Sequence, residues 1–462
     1  MAAAGPVVET SPVHVPDVQY ARSGEAAIAY QVVGDGPTDI VFARGFAGEL
    51  LSMWEHPLPA RHVTGLAEIG RVLMIDKRGT GLSDRFREVG TLETRMDDLR
   101  VVMDAVGSQR AVFWAAHESA RLAVLFAATY PERTVGLVLL EPWARGRRAD
   151  DYPWAPSDGE WAARLADIRE RWGRRDLFAE LLDQWAPDAA GDATFEDWFV
   201  THMRRSMSPG AALSFFRTMM ESDVSDVLAA VRVPTLILFK PTERGPAEYV
   251  AKRLRNAELA ELPRLRGTYT WIDDETHFAS LAAIKRFIER VSSAEEPDRV
   301  LATILFTDII ASTERAAELG DRAWRELLRR HHASVRLRLA EFRGEELDVA
   351  GDGFFAAFDG PGRAINCARA IRDDLAALTL GVRAGVHTGE CERIDRKLGG
   401  IAVHIGARIA AEARAGEIMV SGTVRDLVAG SGIEFEDRGE RRLKGIPGDW
   451  RLFAVVQHRS EV

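Results

Sequence analysis

Two acidic residues carry the first chemical signal in this chain: Asp308 in FTDIIAST (306–313) and Asp352 in AGDGFF (350–355). The run 300–310, VLATILFTDII, is apolar and β-branched, and it breaks into Ser312 and Thr313, residue types that cap helices. Asp308 is therefore expected to leave a strand beside a helix N-terminus. The stretch 347–358, LDVAGDGFFAAF, predicts two short strands folded about Gly351, Asp352 and Gly353, with the second carboxylate at the hairpin tip. Two carboxylates so placed suit two divalent ions, and hard oxygen ligands select Mg²⁺ or Mn²⁺. Bare N–H groups at a helix start suit a polyphosphate. Either acid alone reads as a capped helix or an acidic turn, so the combination carries the signal.

Five motifs in order extend it: FTDIIAST, AGDGFFAAF, VRAGVHTGE, GIAVHIGARIA and RRLKGIPG. Through them residues 299–457 resemble a class III nucleotidyl cyclase domain. The resemblance implies attack of a ribose 3′-oxygen on the α-phosphorus of a nucleoside triphosphate, giving a 3′,5′-cyclic nucleotide and pyrophosphate. It implies two metal ions on Asp308, Asp352 and the backbone carbonyl of Ile309, a transition-state arginine at Arg408 and a phosphate-binding lysine at Lys444. His404 stands where the family has an asparagine, and it too can donate a hydrogen bond. The resemblance further implies a homodimer, with the metal acids of each site from one chain and the arginine and base-facing residues from the other.

The base pocket departs from the family. Its adenine-reading lysine falls at Asp348 and the partner acid or threonine at Lys397, so the polarity is inverted. Adenine offers an acceptor at N1 and a donor at N6; guanine and uracil offer N–H donors beside a carbonyl acceptor, which suits an acid and a lysine in this order. GTP or UTP fits the inverted pair, whereas family frequency favours ATP. Asp395 is the other candidate partner in the 390–400 loop, and Asp348 and Lys397 pairing with each other is the structural alternative.

The elements expected to position these groups follow from periodicity. One long amphipathic helix is expected over 313–342, with the adjacent His331 and His332 pointing apart. A helix over 363–378, a strand over 382–387, a helix over 403–413, a strand over 417–421 and a terminal hairpin complete the region. That order predicts an α+β, ferredoxin-like antiparallel sheet with helices on one face.

Upstream, residues 18–291 alternate strand and helix, with strands expected at 28–33, 39–43, 72–75, 110–115, 135–140 and 235–239, which predicts an α/β fold with a mostly parallel, covered sheet. DKRGTGLS (76–83), AATYPER (127–133) and VPTLIL (233–238) resemble the α/β-hydrolase fold, and the Trp- and Arg-rich 143–227 sits where that family inserts a helical cap. The hydrolase chemistry does not carry over. The nucleophile elbow reads Ala115-Ala116-His117-Glu118-Ser119, so the nucleophile position is His117 and both flanking glycines are gone. The family's acid falls near Glu243 and its histidine near Thr268; Ser119 and His277 are the displaced nucleophile and base that a working hydrolase would need. A pocket without its triad is expected to sense an unidentified small molecule. The alternatives are a weak nucleotide-binding regulator and an esterase controlled by the cyclase.

Residues 292–298, SSAEEPD, read as a short linker and 1–17 as a loose tail. A net charge of −10 argues against nucleic-acid binding. Cys367 and Cys391, the only cysteines, lack metal-ligand spacing and fit a reducing cytoplasm. No apolar run is long enough to span a bilayer.

Overall fold

The computed structural model describes residues 15–46, 48–86, 89–292, 299–394 and 397–456. Most of the expected tail, residues 293–298 of the expected linker, and Asp395 lie outside the described residues. The first sheet has eight strands: β1 (Gln19–Ser23), β2 (Ala26–Val33), β3 (Asp39–Ala43), β4 (Arg71–Ile75), β5 (Ala111–Ala116), β6 (Thr134–Leu140), β7 (Thr235–Phe239) and β8 (Ala257–Glu261). Their order is β1-β2-β4-β3-β5-β6-β7-β8. The β2 strand runs antiparallel to its neighbours, and every pair from β4 to β8 is parallel. Central β5 is AVFWAA and buried throughout, as a parallel strand covered on both faces must be. The six expected strands are present. The two edge strands β1 and β8 were not expected, because each exposes polar side chains and lacks an apolar run.

Helices α1 (Pro57–Ala67), α2 (Leu92–Ala105) and α3 (Ser119–Thr129) precede the cap helices α4 (Asp158–Arg171), α5 (Arg175–Trp185), α6 (Ala193–Ser206) and α7 (Pro209–Glu221); α8 (Arg244–Arg253) and α9 (Asp274–Val291) follow. One sheet face packs on α2, α3 and α8, the other on α1 and α9. The cap buries its own Trp and Phe clusters. Among the described residues no helix is long and apolar enough to cross a membrane.

The second sheet is built by β9 (Arg299–Ile309), β10 (Glu345–Ala350), β11 (Gly353–Phe358), β12 (Val382–Ile394), β13 (Lys397–Gly399), β14 (Ile418–Ser421), β15 (Phe435–Arg441) and β16 (Trp450–Val455). Its helices are α10 (Ser312–Leu319), α11 (Asp321–Glu341), α12 (Pro361–Ala377), α13 (Ile401–Glu412) and α14 (Gly422–Leu427). The order β10-β11-β9-β12-β14-β16-β15 contains the expected ferredoxin-like core, with β13 folded back on β12.

Four expectations are corrected. The helix over 313–342 is two helices, because Gly320 at φ 74° is left-handed and breaks it. Neither Ser312 nor Thr313 caps: Ala311 holds the N-cap position at φ 56° with no side-chain bond. The sheet is mixed, since β12 and β14 are parallel. Helices cover both faces: α11 and α12 pack on Leu305 and Ile309, whereas α13 lies against Ile304 and Phe306. Gly385 on β12 allows that packing, because a Cβ there would strike the backbone of Ala410.

The two sheets share an interface. Leu301 of β9 and Leu427 of α14 join the buried cluster that contains α3. Glu93 of α2 accepts from the backbone N–H of Gly362 (2.7 Å) and Arg363 (3.3 Å) at the start of α12. Arg363 reaches Asp97 at 2.7 Å, and Tyr130 donates to Asp359 at 2.6 Å. On β12, Glu390 pairs with Arg232 and with Arg255.

Candidate functional site

Register sets the hairpin that carries Asp352 alongside the strand that ends beyond Asp308. Phe354 pairs with Thr307 across β11 and β9, so continuing that antiparallel register sets Gly353 opposite Asp308 and Asp352 opposite Ile309. Gly351, at φ 65°, makes the turn that carries Asp352. His332 of α11 meets the Gly351 carbonyl at 3.0 Å and braces that turn. His331 is buried against Phe354, and burial lowers its pKa to about 4. The expectation that the two histidines point apart is corrected: their rings stand 5.3 Å from each other and both meet Phe354, and the bracing role of His332 has no sequence signal.

Asp352 keeps one oxygen, Oδ2, buried and without a hydrogen-bond partner. An anionic oxygen in that state is costly unless a cation meets it. Asp308 is instead held by Arg383, directly opposite on β12, with Nη2 to Oδ2 at 2.6 Å. Arg383 belongs to the VRAGVHTGE motif, yet only the strand pairing singles it out. Among the described residues no three His, Cys, Asp or Glu side chains cluster as a metal site. Two carboxylates plus a backbone carbonyl fit Mg²⁺, which commonly completes its shell with water and substrate phosphates.

Asp308 and Arg383 line a cavity of about 310 Å³ together with Asp348, the stacked rings of Phe306 and Phe355, and Ala407, Ala410 and Ala411 of α13. Asp348 reaches it through a β-bulge between Glu346 and Asp348, and its Oδ1 accepts from the Val349 N–H at 2.9 Å. Lys397 sits on β13, paired by backbone with Ile394, and its side chain lies outside the described residues. The segment taken for a loop over 390–400 is thus largely the hairpin β12–β13. His404 and Arg408 are one helical turn apart on α13, both exposed, and neither lines the cavity. Lys444, between β15 and β16, is also exposed. One chain therefore brings Asp308 and Asp348 to the cavity, with Asp352 on the adjoining turn and not in its lining, and leaves the three cationic or donor groups facing solvent.

In the first sheet, the elbow survives without its glycines. His117 adopts φ 52° between β5 and α3, a conformation that strains a non-glycine residue. Burial lowers the His117 pKa to about 4, and its Nδ1 stands 3.7 Å from Glu141 Oε2. Burial also raises the Glu141 pKa to about 7, while Lys240 Nζ lies 3.2 Å from the same oxygen. Glu141, at the end of β6, was not anticipated; Glu243 lies nearby in the turn after β7, and Thr268 lines the same cavity as His117. Ser119 donates to the carbonyl of Arg44 at 2.7 Å. His277, the displaced base that a working hydrolase would need, is buried on α9, 5.7 Å ring to ring from His62 and off that cavity. The expected positions Ser119, Glu243 and His277 form no triad; the serine–histidine pair beside this cavity is Ser52 Oγ with His202 Nδ1, 2.6 Å apart.

A mostly parallel sheet with a helical cap, followed by a ferredoxin-like sheet with paired acids, defines an α/β-hydrolase-like domain joined to a nucleotidyl cyclase domain. Residues 294–457, about a third of the chain, match the family model described as the adenylate and guanylate cyclase catalytic domain. A putative carbamate hydrolase RutD of Caulobacter sp. is 27% identical over 255 residues, covering 52% of this chain and 90% of that protein. Karrikin insensitive 2 receptor IA of Petunia hybrida is 24% identical over 269 residues, covering 55% of this chain and 89% of the receptor. Putative adenylate cyclase 3 of Rhizobium meliloti is 29% identical over 158 residues, covering 32% of this chain but only 27% of that protein.

Proposed function

We propose that the chain converts a nucleoside triphosphate into a 3′,5′-cyclic nucleotide and pyrophosphate, at a site completed by a second copy of itself, under the control of its hydrolase-like domain. The observation that carries the catalytic part is the buried, unpartnered Oδ2 of Asp352 beside the strand that ends in Asp308. In the reaction the ribose 3′-hydroxyl loses its proton, O3′ bonds to the α-phosphorus, and the bond from that phosphorus to the bridging oxygen breaks to release pyrophosphate. Two Mg²⁺ or Mn²⁺ ions would supply Lewis-acid polarisation and neutralise phosphate charge. Asp308, Asp352 and the Ile309 carbonyl would hold them. Arg408 would meet charge on the α-phosphate, His404 would donate beside it, and Lys444 would hold the departing phosphates. Incubating purified protein with each of four NTPs and Mg²⁺ or Mn²⁺, with products resolved chromatographically, tests this; absence of cyclic product in all eight reactions would overturn it.

Base choice rests on Asp348 and Lys397. If they face the base, a charge left unpaired against adenine costs on the order of 1–3 kcal/mol, or roughly ten- to hundredfold in relative kcat/KM. The inverted pair is expected to raise GTP or UTP use relative to ATP, and Asp348→Lys with Lys397→Asp to shift preference to ATP. Either single change is expected to be worse than both, since it sets like charges together. A double variant with the wild-type order of substrates would remove the pair from base reading and make Asp395 the next residue to test.

The regulatory part is supported by the interface and by a hydrolase-fold relative whose name is receptor. The α3 helix starts at the His117 elbow and its cluster includes Leu301 of β9, the strand that carries Asp308. Asp359 and Arg363, bound by Tyr130, Glu93 and Asp97, follow β11 directly. Glu93→Ala is expected to raise deuterium uptake in the 359–365 peptide and to change cyclase kcat at least twofold. Raised exchange with an unchanged kcat would reduce this contact to a tether.

A further inference from the structure

Under the cap lies a cavity of about 140 Å³, reached by His117 and Thr268 and walled by Trp114, Trp185, Trp198 and Trp271. An apolar cavity of about 150 Å³ takes up benzene, so this one, of similar size, suits a single ring. Aromatic walls favour a flat guest, which they meet edge-on or by offset stacking.

The polar groups in the wall are mostly donors. The indole N–H of Trp114 and Nε of Arg44 are buried and lack acceptors. A guest oxygen would satisfy such donors, which are costly to bury unpaired. The charges nearest the cavity are largely compensated: Arg44 meets Asp76 at 2.6 Å, and Lys77 meets Glu118 at 3.2 Å. Arg164 differs. It lies over the Trp161 ring at 5.3 Å, and the acid near it, Glu160, is already bonded to Ser157 and paired with Arg148. Among the described residues the uncompensated charge at the cavity wall is therefore positive.

We infer that this cavity binds a single-ring aromatic carboxylate, with the ring among the tryptophans and the carboxylate towards Arg164. The ligand class deepens the regulatory reading above, but the binding site stands on its own geometry. A planar anion supplies the charge that Arg164 lacks. A cation of the same shape would face Arg164 without compensation.

Titration of the full-length protein with benzoate, benzamide and benzylammonium, read by tryptophan fluorescence, tests the inference. Benzoate is expected to bind at least tenfold more tightly than benzamide, and benzylammonium weakest. Arg164→Gln should erase the preference for benzoate over benzamide, and Arg164→Lys should keep most of it. Met219→Trp, which fills the cavity from α7, should weaken all three probes. Equal affinity for the three probes, tighter benzylammonium, no saturable binding, or an Arg164→Gln variant of unchanged selectivity would each overturn the inference. Cyclase rate at saturating benzoate is a separate readout: binding with no change in rate overturns regulation by this cavity and leaves the site itself standing.

Discussion

Asp308→Ala and Asp352→Ala are each expected to lower cyclase kcat by on the order of a thousandfold or more, since in the proposed mechanism each would remove a carboxylate from ions that would stabilise several kcal/mol of developing charge. The two variants should differ in stability. The Asp308–Arg383 pair has side chains 38% and 31% exposed, so losing it costs at most about 1 kcal/mol. Asp352 is the reverse case: its Oδ2 is buried with no partner, and removing an unsatisfied acceptor relieves a desolvation cost. Asp352→Ala is therefore expected to match or slightly exceed the wild-type Tm while abolishing activity, the sign expected where function is held at the expense of stability. Calorimetry beside the NTP assay checks both halves. A variant with wild-type turnover, or one inactive only because it has unfolded, would remove its acid from the metal-binding role.

That difference between the two acids was beyond the sequence. The motifs placed Asp308 at a strand end and Asp352 on a hairpin, because alternation, β-branching and a Gly-Asp-Gly turn are local signals. The pairing of Asp308 with Arg383 depends on register across β9 and β12, and nothing local marks Arg383 as its partner. The bulge that redirects Asp348 is likewise a product of pairing, since one extra residue in β10 has no compositional mark. The single helix over 313–342 was expected because apolar spacing continues through the region, but Gly320 breaks it where the chain must turn. Helices on both faces follow from Gly385 and Gly406, whose meaning as close-approach points appears only once α13 lies against the sheet. In the first sheet the loss of a serine nucleophile was legible at His117. That the elbow would persist without glycine, with Glu141 opposite, was not, because backbone strain at φ 52° is sustained by the packing around it.

Arg408→Ala is expected to cost about a hundred- to thousandfold in kcat, the range for losing one group that meets transition-state charge. Its placement makes the stronger test. Arg408 and His404 are exposed on α13 and do not line the cavity that holds Asp308 and Asp348, so a single chain leaves the arginine without the acids it would serve. In a two-fold dimer with shared sites, one chain's Arg408 would complete the other chain's Asp308 and Asp352. Mixing Asp308→Ala protein with Arg408→Ala protein would then produce heterodimers in which one site carries both lesions and the other carries neither. With free exchange about half of the dimers are mixed and half of their sites intact, so activity should recover to about a quarter of wild type. Each variant alone stays inactive. Subunit exchange, followed by energy transfer between labelled chains, must proceed in the same mixture. Exchange without recovered activity would put Arg408 and the acids in one chain's site and end the shared-site reading.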